Sequence, residues 1–377
     1  MESKILNLSF SLKVLIASII TIWCIIALFP LLWVVVMSIK LPIDSFASNP
    51  LEVIIGPETK RQVGGLSILD FVLISILLFF FTKIYKKKLI IFNLIKKFIK
   101  SSFFSFFITL VFFLLASYFV FFIFYPWFHK LVNILLFNIP FLELSTKPII
   151  GFTTQHYETV WFQNEFYKQF LNTIMVTFGV ITISLSVGTL AGYALARTNS
   201  MIAFWLLIAA LIFRALPHSV LVTGYLEPFI EYGFYGKKSA VIILLVAINQ
   251  PFTIWMLRSF FINIPQDLDD AAQIDGCNPF QAFWLVIMPL MWPGVITTGL
   301  FSFLLAYNDY LVASLLLDGQ SQTMIPAIIQ YFNMDTTMTD LVEAIAAAAS
   351  ITAPLFLLVL FFQKQIVSGL TQGAVKG

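Results

Sequence analysis

Four aspartates and one arginine stand out in a polar stretch between two apolar stretches of the C-terminal half. These residues are Arg258, Asp267, Asp269, Asp270 and Asp275. Carboxylates form strong, often bidentate hydrogen bonds with arginine side chains of another protein. The chain has 3 histidines, at no metal-ligand spacing from one another, and no nucleophile stands beside an evident base. Contact with a partner is therefore the chemistry that these acids indicate.

The sequence around the acids predicts a short helix, a tight turn and a second short helix. Pro265 is placed for a helix start, and Asp267 to Asp270 suit a first turn because a helix N-terminus attracts negative charge. Gly276 suits a left-handed C-terminal cap. Asn278 and Pro279 then read as the N-cap and first residue of the second helix. We expect this unit to lie along a membrane surface.

Ala271 and Ala272 keep one side of the predicted turn thin. Another backbone can approach such a side closely, while the neighbouring acids meet arginines of a partner. An element of this kind can transmit a displacement from one protein to another.

The segment Asp270-Ala271-Ala272-Gln273-Ile274-Asp275-Gly276, followed by Ile287-Met288-Pro289, resembles a family motif. It is similar to the cytoplasmic coupling loop of binding-protein-dependent ABC importer permeases. The family pattern is Glu-Ala-Ala, two variable residues, Asp-Gly, and a later Leu-Pro. Here Asp270 replaces the glutamate and Met288 replaces the leucine.

Four further segments resemble the same family in the same order. Residues 191–197, Ala-Gly-Tyr-Ala-Leu-Ala-Arg, end a stretch similar to the first core span after the outer loop. Residues 213–217 resemble its Arg-x-x-Pro span, and residues 307–310 resemble the Trp-Asn-Glu-Phe that ends the next-to-last span. The tail, residues 369–377, is similar to that of the maltose-type, carbohydrate-importing branch.

The resemblance implies an all-α integral membrane protein with the type I ABC importer permease fold. It implies six core transmembrane helices, a second permease subunit in a hetero- or homodimer, two ABC ATPase subunits and an external substrate-binding protein. The chain would form half of the pathway for a carbohydrate, with a di- or oligosaccharide favoured. It would be a transport subunit rather than an enzyme, with no cofactor of its own and ATP-Mg in the partner subunits. The residues implied to contact the ATPase are Asp267, Asp270, Ala271, Ala272, Asp275 and Gly276.

Composition requires a membrane to hold these elements. The chain of 377 residues is 60% hydrophobic and 11% charged, against about 25% charged in soluble domains. Its net charge of +3 is too small to indicate a nucleic acid partner. The lipid bilayer is therefore the expected surrounding, and the family resemblance implies a multi-pass protein of the bacterial plasma (inner) membrane.

Charges delimit eight predicted spans, since a crossing helix needs about 20 mostly apolar residues. Five uncharged stretches are clear, residues 14–39, 101–128, 169–196, 239–257 and 344–363. Residues 201–224, which include Arg214, give a sixth span, and the end of residues 276–308 gives a seventh. Residues 66–82 give the eighth and form an extra hairpin with residues 103–124.

Charge bias along the chain predicts that both termini are cytoplasmic. The loop of the extra hairpin carries a lysine cluster, Lys83, Lys86, Lys87, Lys88, Lys96, Lys97 and Lys100. Cytoplasmic loops are enriched in lysine and arginine, and two crossings by the hairpin place this cluster inside. Contact with anionic lipid is favoured for it, with contact with the ATPase or a regulator as the alternative.

The predicted organisation follows from these spans. It consists of an N-terminal segment and first span (1–40), an external loop (41–65), the extra hairpin with its Lys-rich cytoplasmic loop (66–124), an external segment (125–167), and the core permease domain (168–377) with the coupling loop at 258–283 and a cytoplasmic tail.

Three polar residues are candidates for the translocation pathway. Arg214 inside a span is costly and usually faces water or protein, so it either lines the pathway or pairs across a helix interface. Asn308 and Asp309 either surround the outer mouth or form a solvated helix end, and the helix end is favoured.

Two other classes of function stay open at this stage. An ion-driven secondary transporter or channel would show paired intramembrane acids or broken helices, and the sequence offers little beyond Arg214 and prolines. A structural assembly protein would carry no substrate. A phosphate loop is not indicated, because Gly233 to Ser239 lacks the required first glycine and places Lys238 where serine should follow.

Overall fold

The computed structural model describes residues 10–86, 92, 102–137, 143–198, 200–214, 216–332 and 337–374. It divides into two compact units, Met1–His156 and Tyr157–Gly377. Most of the predicted lysine cluster, Ala215 of the segment 213–217 and the last three residues of the tail lie outside the described residues.

The described part of the first unit is mostly helical. Its elements are α1 (Phe10–Ser38), α2 (Pro42–Ser45), α3 (Pro50–Ile55), α4 (Pro57–Gln62), β1 (Gly65–Ser67), α5 (Ile68–Lys86), α6 (Ser102–Tyr118), a π-helical turn (Phe119–Phe124), α7 (Tyr125–Phe137), α8 (Glu143–Thr146), β2 (Pro148–Gly151) and α9 (Gln155–Glu158). The helix of the extra hairpin therefore begins at Ile68, because residues 66 and 67 belong to β1.

A small antiparallel sheet, which the sequence did not predict, joins two segments of this unit. Gly65 pairs with Gly151 and Leu66 with Ile150. A Cβ at Gly65 would lie 1.9 Å from the carbonyl oxygen of Ile150, so only glycine fits at this contact. The pairing ties the predicted external loop to the predicted external segment.

A buried lysine fixes the chain just after α1. Lys40 is 1% exposed, and its Nζ donates a hydrogen bond to the carbonyl oxygen of Gly151. The Nε2 of His156 lies 3.0 Å from the carbonyl oxygen of Lys40, to which it donates. Burial lowers the pKa of Lys40, and the negative charge of Asp44 offsets part of this shift. Burial also lowers the pKa of His156. These contacts hold the residues after the first span in one arrangement.

The second unit contains the longest helices of the core. Its elements are a π-helical turn (Thr159–Gln163), α10 (Phe166–Arg197), α11 (Met201–Arg214), α12 (His218–Glu231), α13 (Lys238–Phe261), α14 (Asp267–Ile274), α15 (Pro279–Ala282), a π-helical turn (Phe283–Ile287), α16 (Met288–Tyr307), α17 (Leu311–Leu316), a 3₁₀ turn (Gly319–Ser321), α18 (Met324–Gln330) and α19 (Met338–Ala374).

Within the described residues, five helical stretches are long and apolar enough to cross a membrane. They are Phe10–Ser38, Phe166–Arg197, Lys238–Phe261, Pro279–Tyr307 and Met338–Gln363. Two shorter apolar helices cover Ile68–Phe80 and Met201–Ile212. The predicted span 201–224 is wrong as one helix, because α11 ends at Arg214 and α12 begins at His218. Pro217 explains the break, since proline disfavours helical geometry in the residue before it.

Helices α10, α13 and α16 pack against one another to form the centre of the second unit. Small residues let α10 approach α13, because a Cβ at Gly188 would lie 2.6 Å from the Cγ2 of Thr253. The buried Nδ2 of Asn249 on α13 donates to the Oγ of Ser302 on α16 over 2.8 Å. This core connects the end of the unit near Phe166 with the end that carries the acidic segment.

Candidate functional site

The predicted helix, turn and helix are present at residues 267–282, which we call the acidic elbow. Its first helix is Asp267–Ile274, and Gly276 follows with φ +92. The N–H of Gly276 donates to the carbonyl of Gln273, and that of Cys277 donates to the carbonyl of Ala272. This pair of hydrogen bonds is a Schellman motif, which terminates the helix and requires the left-handed residue that glycine supplies. The prediction for Gly276 is confirmed.

The second helix of the elbow begins with a capping box, as the prediction for Asn278 and Pro279 requires. The Oδ1 of Asn278 accepts a hydrogen bond from the N–H of Gln281 over 2.8 Å. The Oε1 of Gln281 accepts from the N–H of Asn278 over 2.9 Å. Reciprocal bonds of this kind fix a helix start.

The limits of the predicted coupling loop, 258–283, require correction. Helix α13 continues to Phe261, so Arg258 lies inside its last turn. The Nε of Arg258 donates to the carbonyl oxygen of Leu195 over 3.3 Å. Arg258 therefore contacts α10 within the same chain, and the connecting segment starts after Phe261.

An internal clamp holds the elbow to the end of α10. Asp269 is 7% exposed, and its Oδ2 lies 2.8 Å from the Nε and 2.7 Å from the Nη2 of Arg197. Its Oδ1 accepts a hydrogen bond from the hydroxyl of Tyr193 over 2.5 Å. The Nη1 of Arg197 also donates to the carbonyl oxygens of Phe261 and Ile264. One arginine thus joins α10, the end of α13 and the elbow.

Aromatic side chains pack beneath the clamp. The ring of Tyr193 lies 5.4 Å from that of Phe261 and 4.9 Å from that of Phe283, between centroids. Phe261 and Phe283 are buried in one apolar cluster with Ile287 and Met291. Aromatic contacts add to the free energy of apolar burial. Packed side chains therefore connect the elbow with α10, α13 and α16.

The opposite side of the elbow is open. The predicted contact residues Asp267, Asp270, Ala271, Asp275 and Gly276 are exposed. Two apolar side chains stand beside them, with Ile274 exposed by 85% and Phe280 by 65%. The described structure places nothing within 4 Å of a Cβ built at Gly276. Acidic and apolar groups thus share one accessible face.

The sixth predicted contact residue, Ala272, does not belong to this face. It is 5% exposed, on the side of the elbow that carries Asp269. Its small side chain therefore permits close packing within the chain, which corrects its interpretation as a residue that faces a partner.

Sequence reasoning missed the clamp and the exposed apolar pair. Asp269 was grouped with the other acids, although its spacing to Ala272 places both on one helix face. The three-residue spacing between Asp269 and Ala272 was the available signal that Asp269 is buried. Its partner Arg197 had no such signal, because it lies far from Asp269 in the sequence. The only sequence signal for the exposed pair was that Ile274 and Phe280 are apolar residues in a polar segment.

Arg214 ends α11 beside a cavity of about 240 Å³. The cavity is otherwise largely apolar, with Tyr225 and Pro251 in its wall. The guanidinium lies 4.7 Å from the ring centroid of Phe252, and its buried Nε has no hydrogen-bond partner among the described residues. The structure thus brings Arg214 both to a helix interface and to a cavity.

Asn308 and Asp309 lie at the end of α16, away from Arg214 in sequence. The Oδ2 of Asp309 accepts from the N–H of Ala313 over 2.9 Å, and the Nδ2 of Asn308 donates to the carbonyl of Leu304. Both of these hydrogen bonds are local to the helix end.

Across the part of the chain that the structure describes, no group of three or more histidine, cysteine, aspartate or glutamate residues could hold a metal ion.

Comparison with known proteins assigns the second unit to a family. Residues 184–372 match the family described as "Binding-protein-dependent transport system inner membrane component". The matched stretch contains the elbow, the clamp and Arg214.

Two curated relatives are similar over most of their own length. One is the "Trehalose transport system permease protein SugB" of Mycobacterium tuberculosis, 34% identical over 60% of this chain and 82% of the relative. Another is the "Trehalose/maltose transport system permease protein MalG" of Thermococcus litoralis, 34% identical over 55% of this chain and 74% of the relative.

A solved structure of a bacterial ABC transporter involved in the import of the acidic polysaccharide alginate also matches. It is 20% identical with a TM-score of 0.49, and the match covers 58% of this chain and 81% of that chain. The family match extends over half of the chain, and the M. tuberculosis relative is covered over more than two thirds of its length. The chain therefore belongs to the inner-membrane components of binding-protein-dependent transport systems.

Proposed function

We propose that the chain is a permease subunit of an ATP-driven ABC importer and forms half of the translocation pathway for a carbohydrate. The external binding protein would deliver the substrate, with a di- or oligosaccharide favoured. The relatives named for trehalose and for trehalose and maltose support this substrate class.

The acidic elbow is the observation that carries the proposal. Its inner side is clamped to the membrane helices through Asp269 and Arg197, and its outer side exposes acids together with Ile274 and Phe280. A surface with both properties can receive a force from a partner and transmit it to the spans. The charged groups would meet arginines in a cleft of the ATPase, and the apolar groups would anchor the contact.

The partners follow from the same mechanism. Two ABC ATPase subunits hold ATP-Mg, and a second permease of similar fold, identical or different, completes the pathway. The chain itself is a transport subunit, and hydrolysis belongs to the ATPases. ATP-driven closure of the ATPases moves the elbow, and the spans alternate between inward-open and outward-open states. The coupling free energy passes through this contact.

The chain crosses the membrane eight times in this proposal, with both termini cytoplasmic. Six spans form the core, and the two helices of the extra hairpin, Ile68–Lys86 and Ser102–Tyr118, supply the others. The pair α11 and α12 counts as one broken crossing, as discontinuous helices in transporters do when they line a cavity.

Arg214 is the pathway residue that we favour. An arginine at membrane depth faces protein or water, and this one borders a cavity at the break between α11 and α12. Asn308 and Asp309 act as a helix end in this scheme.

Uptake in proteoliposomes tests the proposal. The full complex, purified with its companion subunits, is supplied with the binding protein and labelled trehalose, maltose or maltotriose. We expect uptake that requires internal ATP and falls at least about tenfold in Asp270→Lys, because charge reversal repels the ATPase. Asp318→Lys is the matched control, since Asp318 lies near Gly236, at the end of α13 remote from the elbow.

Two results would contradict the assignment. Uptake at the native rate by Asp270→Lys would exclude the elbow as the coupling contact. Uptake that persists without ATP would exclude an ATP-driven importer.

A further inference from the structure

A polar cavity lies at the end of the second unit that is remote from the elbow. Its volume is about 310 Å³, within the usual range of small-molecule sites, about 300–1,000 Å³. The polar side chains in its wall are Asn164, Gln169, Gln330, Tyr331 and Asp340. The residues assigned to coupling and to the pathway are not in this wall.

Helix α10 fixes the distance between the cavity and the elbow. The cavity is lined by Phe166 and Gln169 at the beginning of this 32-residue helix, and Arg197 at its end holds the elbow. A helix rises about 1.5 Å per residue, so the two sites are about 45 Å apart along the axis. This separation exceeds the hydrocarbon thickness of about 30 Å. If the elbow is cytoplasmic, the cavity opens at the external face.

The cavity wall contains polar atoms that have no hydrogen-bond partner among the described residues. The Oε1 of Gln169 is buried and accepts no hydrogen bond from the described residues. Thr337 donates through its N–H and its hydroxyl to the Oδ2 of Asp340, whereas the Oδ1 has no such donor among the described residues. Buried acceptors are normally satisfied by protein or water, so the Oε1 of Gln169 is suited to a donor supplied by a bound molecule. The Oδ1 of Asp340 is accessible and can accept a further hydrogen bond beside it.

Hydrogen bonds hold two other side chains of the wall, Asn164 and Tyr331. The Nδ2 of Asn164 donates to the hydroxyl of Tyr331 over 2.8 Å and to the Oε2 of Glu343 over 3.0 Å. These bonds connect the segment before α10 with the end of α18 and the start of α19. Because these side chains are already held by hydrogen bonds, binding of a ligand costs less conformational entropy.

We infer that this cavity is a saccharide-binding subsite at the external mouth of the permease, which receives the sugar before it passes between the spans. The inference deepens the proposed function and rests on it. Sugar hydroxyls both donate and accept, so they can satisfy the acceptors Gln169 and Asp340 and accept from the amide of Gln330. One acid among amides and a phenol suits a neutral polyhydroxyl molecule better than a metal cation, which needs several anionic ligands.

Direct binding in the absence of the binding protein tests the subsite. The complete permease and ATPase complex in nanodiscs is titrated calorimetrically with trehalose, maltose or maltotriose. We expect saturable binding in the range of about 1–10 mM, as for a few hydrogen bonds without deep burial. Gln169→Met, which keeps length but removes the acceptor, should weaken binding about three- to tenfold.

Two further variants keep the test independent of folding. Asp340→Asn retains an oxygen for Thr337 and removes the charge, and we expect it to weaken binding by a similar factor. Gln163→Met is the matched control, because Gln163 is exposed nearby and does not line the cavity. The unfolding temperature should be the same in all three variants, and the Gln163→Met control should keep the native rate of basal ATP hydrolysis.

The outcomes separate the subsite from the proposed function. Equal saccharide affinity in Gln169→Met and Gln163→Met, or uptake by the native complex without direct saturable binding, would overturn the subsite alone. If Gln169→Met or Asp340→Asn weakens the complex with the binding protein but leaves saccharide affinity unchanged, the cavity is a contact site for the binding protein. This result would also overturn the subsite. Absence of both uptake and binding for all three sugars would overturn the two proposals together.

Discussion

Two adjacent aspartates of the elbow have opposite environments. Asp269 is buried against Arg197 and Tyr193, whereas Asp270 is exposed. A helix turns by about 100° per residue, so neighbours in sequence point to different sides. The two carboxylates therefore serve different purposes, one within the chain and one toward a partner.

This difference predicts separate effects of removing each charge. Asp269→Asn should destabilise the second unit by about 2–4 kcal/mol, because it leaves the Arg197 guanidinium without its counter-ion in a mostly buried site. Asp270→Asn should change stability by less than about 0.5 kcal/mol. Thermal unfolding of the purified complex measures both, and equal midpoints for the two variants would contradict the clamp.

The turn glycine gives a second residue-scale prediction. Gly276→Ala should cost about 1–3 kcal/mol, because φ +92 is unfavourable for any residue with a Cβ. Steric clash with the described residues is not the cause, since none of their atoms lies within 4 Å of the built Cβ. Gly224→Ala is the matched control in open space inside α12, where alanine should stabilise the helix by about 0.5–1 kcal/mol. A thermal midpoint of Gly276→Ala at or above that of the Gly224→Ala control would refute the strain.

Elements were predictable where their signals are local. The caps at Gly276 and Asn278 were found because each depends on residues within about one turn. The pairing of Asp269 with Arg197 was not found, because it depends on two helices meeting in three dimensions. The break between α11 and α12 was missed because hydropathy outweighed the proline signal at Pro217.

The contact between α10 and α13 predicts a packing defect with a specific remedy. Gly188→Ala should destabilise by about 1–3 kcal/mol, since its Cβ would lie 2.6 Å from the Cγ2 of Thr253. Adding Thr253→Ser removes that methyl group and keeps the hydroxyl that donates to the carbonyl of Asn249. The double variant should recover part of the unfolding temperature. Failure to recover any of it would mean that another contact limits the approach of the helices.

The segment after α1 predicts a dependence on pH. Burial lowers the pKa of His156, so the folded value lies below the unfolded value of about 6.5. Between the two values the unfolded chain binds more protons, and stability is therefore lost as pH falls below about 6.5. Protonation would place a second positive charge beside Lys40. Amide hydrogen exchange around residues 40 and 156 should accelerate between pH 7.5 and 5, after correction for the intrinsic rate.

A neutral replacement is the control for this effect. His156→Gln retains an N–H donor for the carbonyl of Lys40 and does not titrate. The acceleration should disappear in this variant. Persistence of the full effect would assign it to another group.

At the scale of the whole molecule, composition predicted a membrane protein and motif order predicted the family. The sequence did not predict the pairing of β1 with β2, because short strands far apart along the chain carry almost no periodic signal. The number of spans depends on the hairpin near the lysine cluster, where charge bias was the only argument. The topology therefore requires a measurement on the complete chain.

The native cysteines permit that measurement. Cys277 lies half-buried in the elbow and Cys24 lies in α1. In Cys24→Ala, a membrane-impermeant thiol reagent should label Cys277 only in inside-out vesicles, and assembly with the ATPase should protect it.

In a cysteine-free background, Lys83→Cys should react from the same side and Gln62→Cys from the opposite side, because eight crossings place α4 outside and the hairpin loop inside. Reaction of Lys83→Cys from the outside would contradict the extra crossings, and external reaction of Cys277 would contradict the coupling role of the elbow itself.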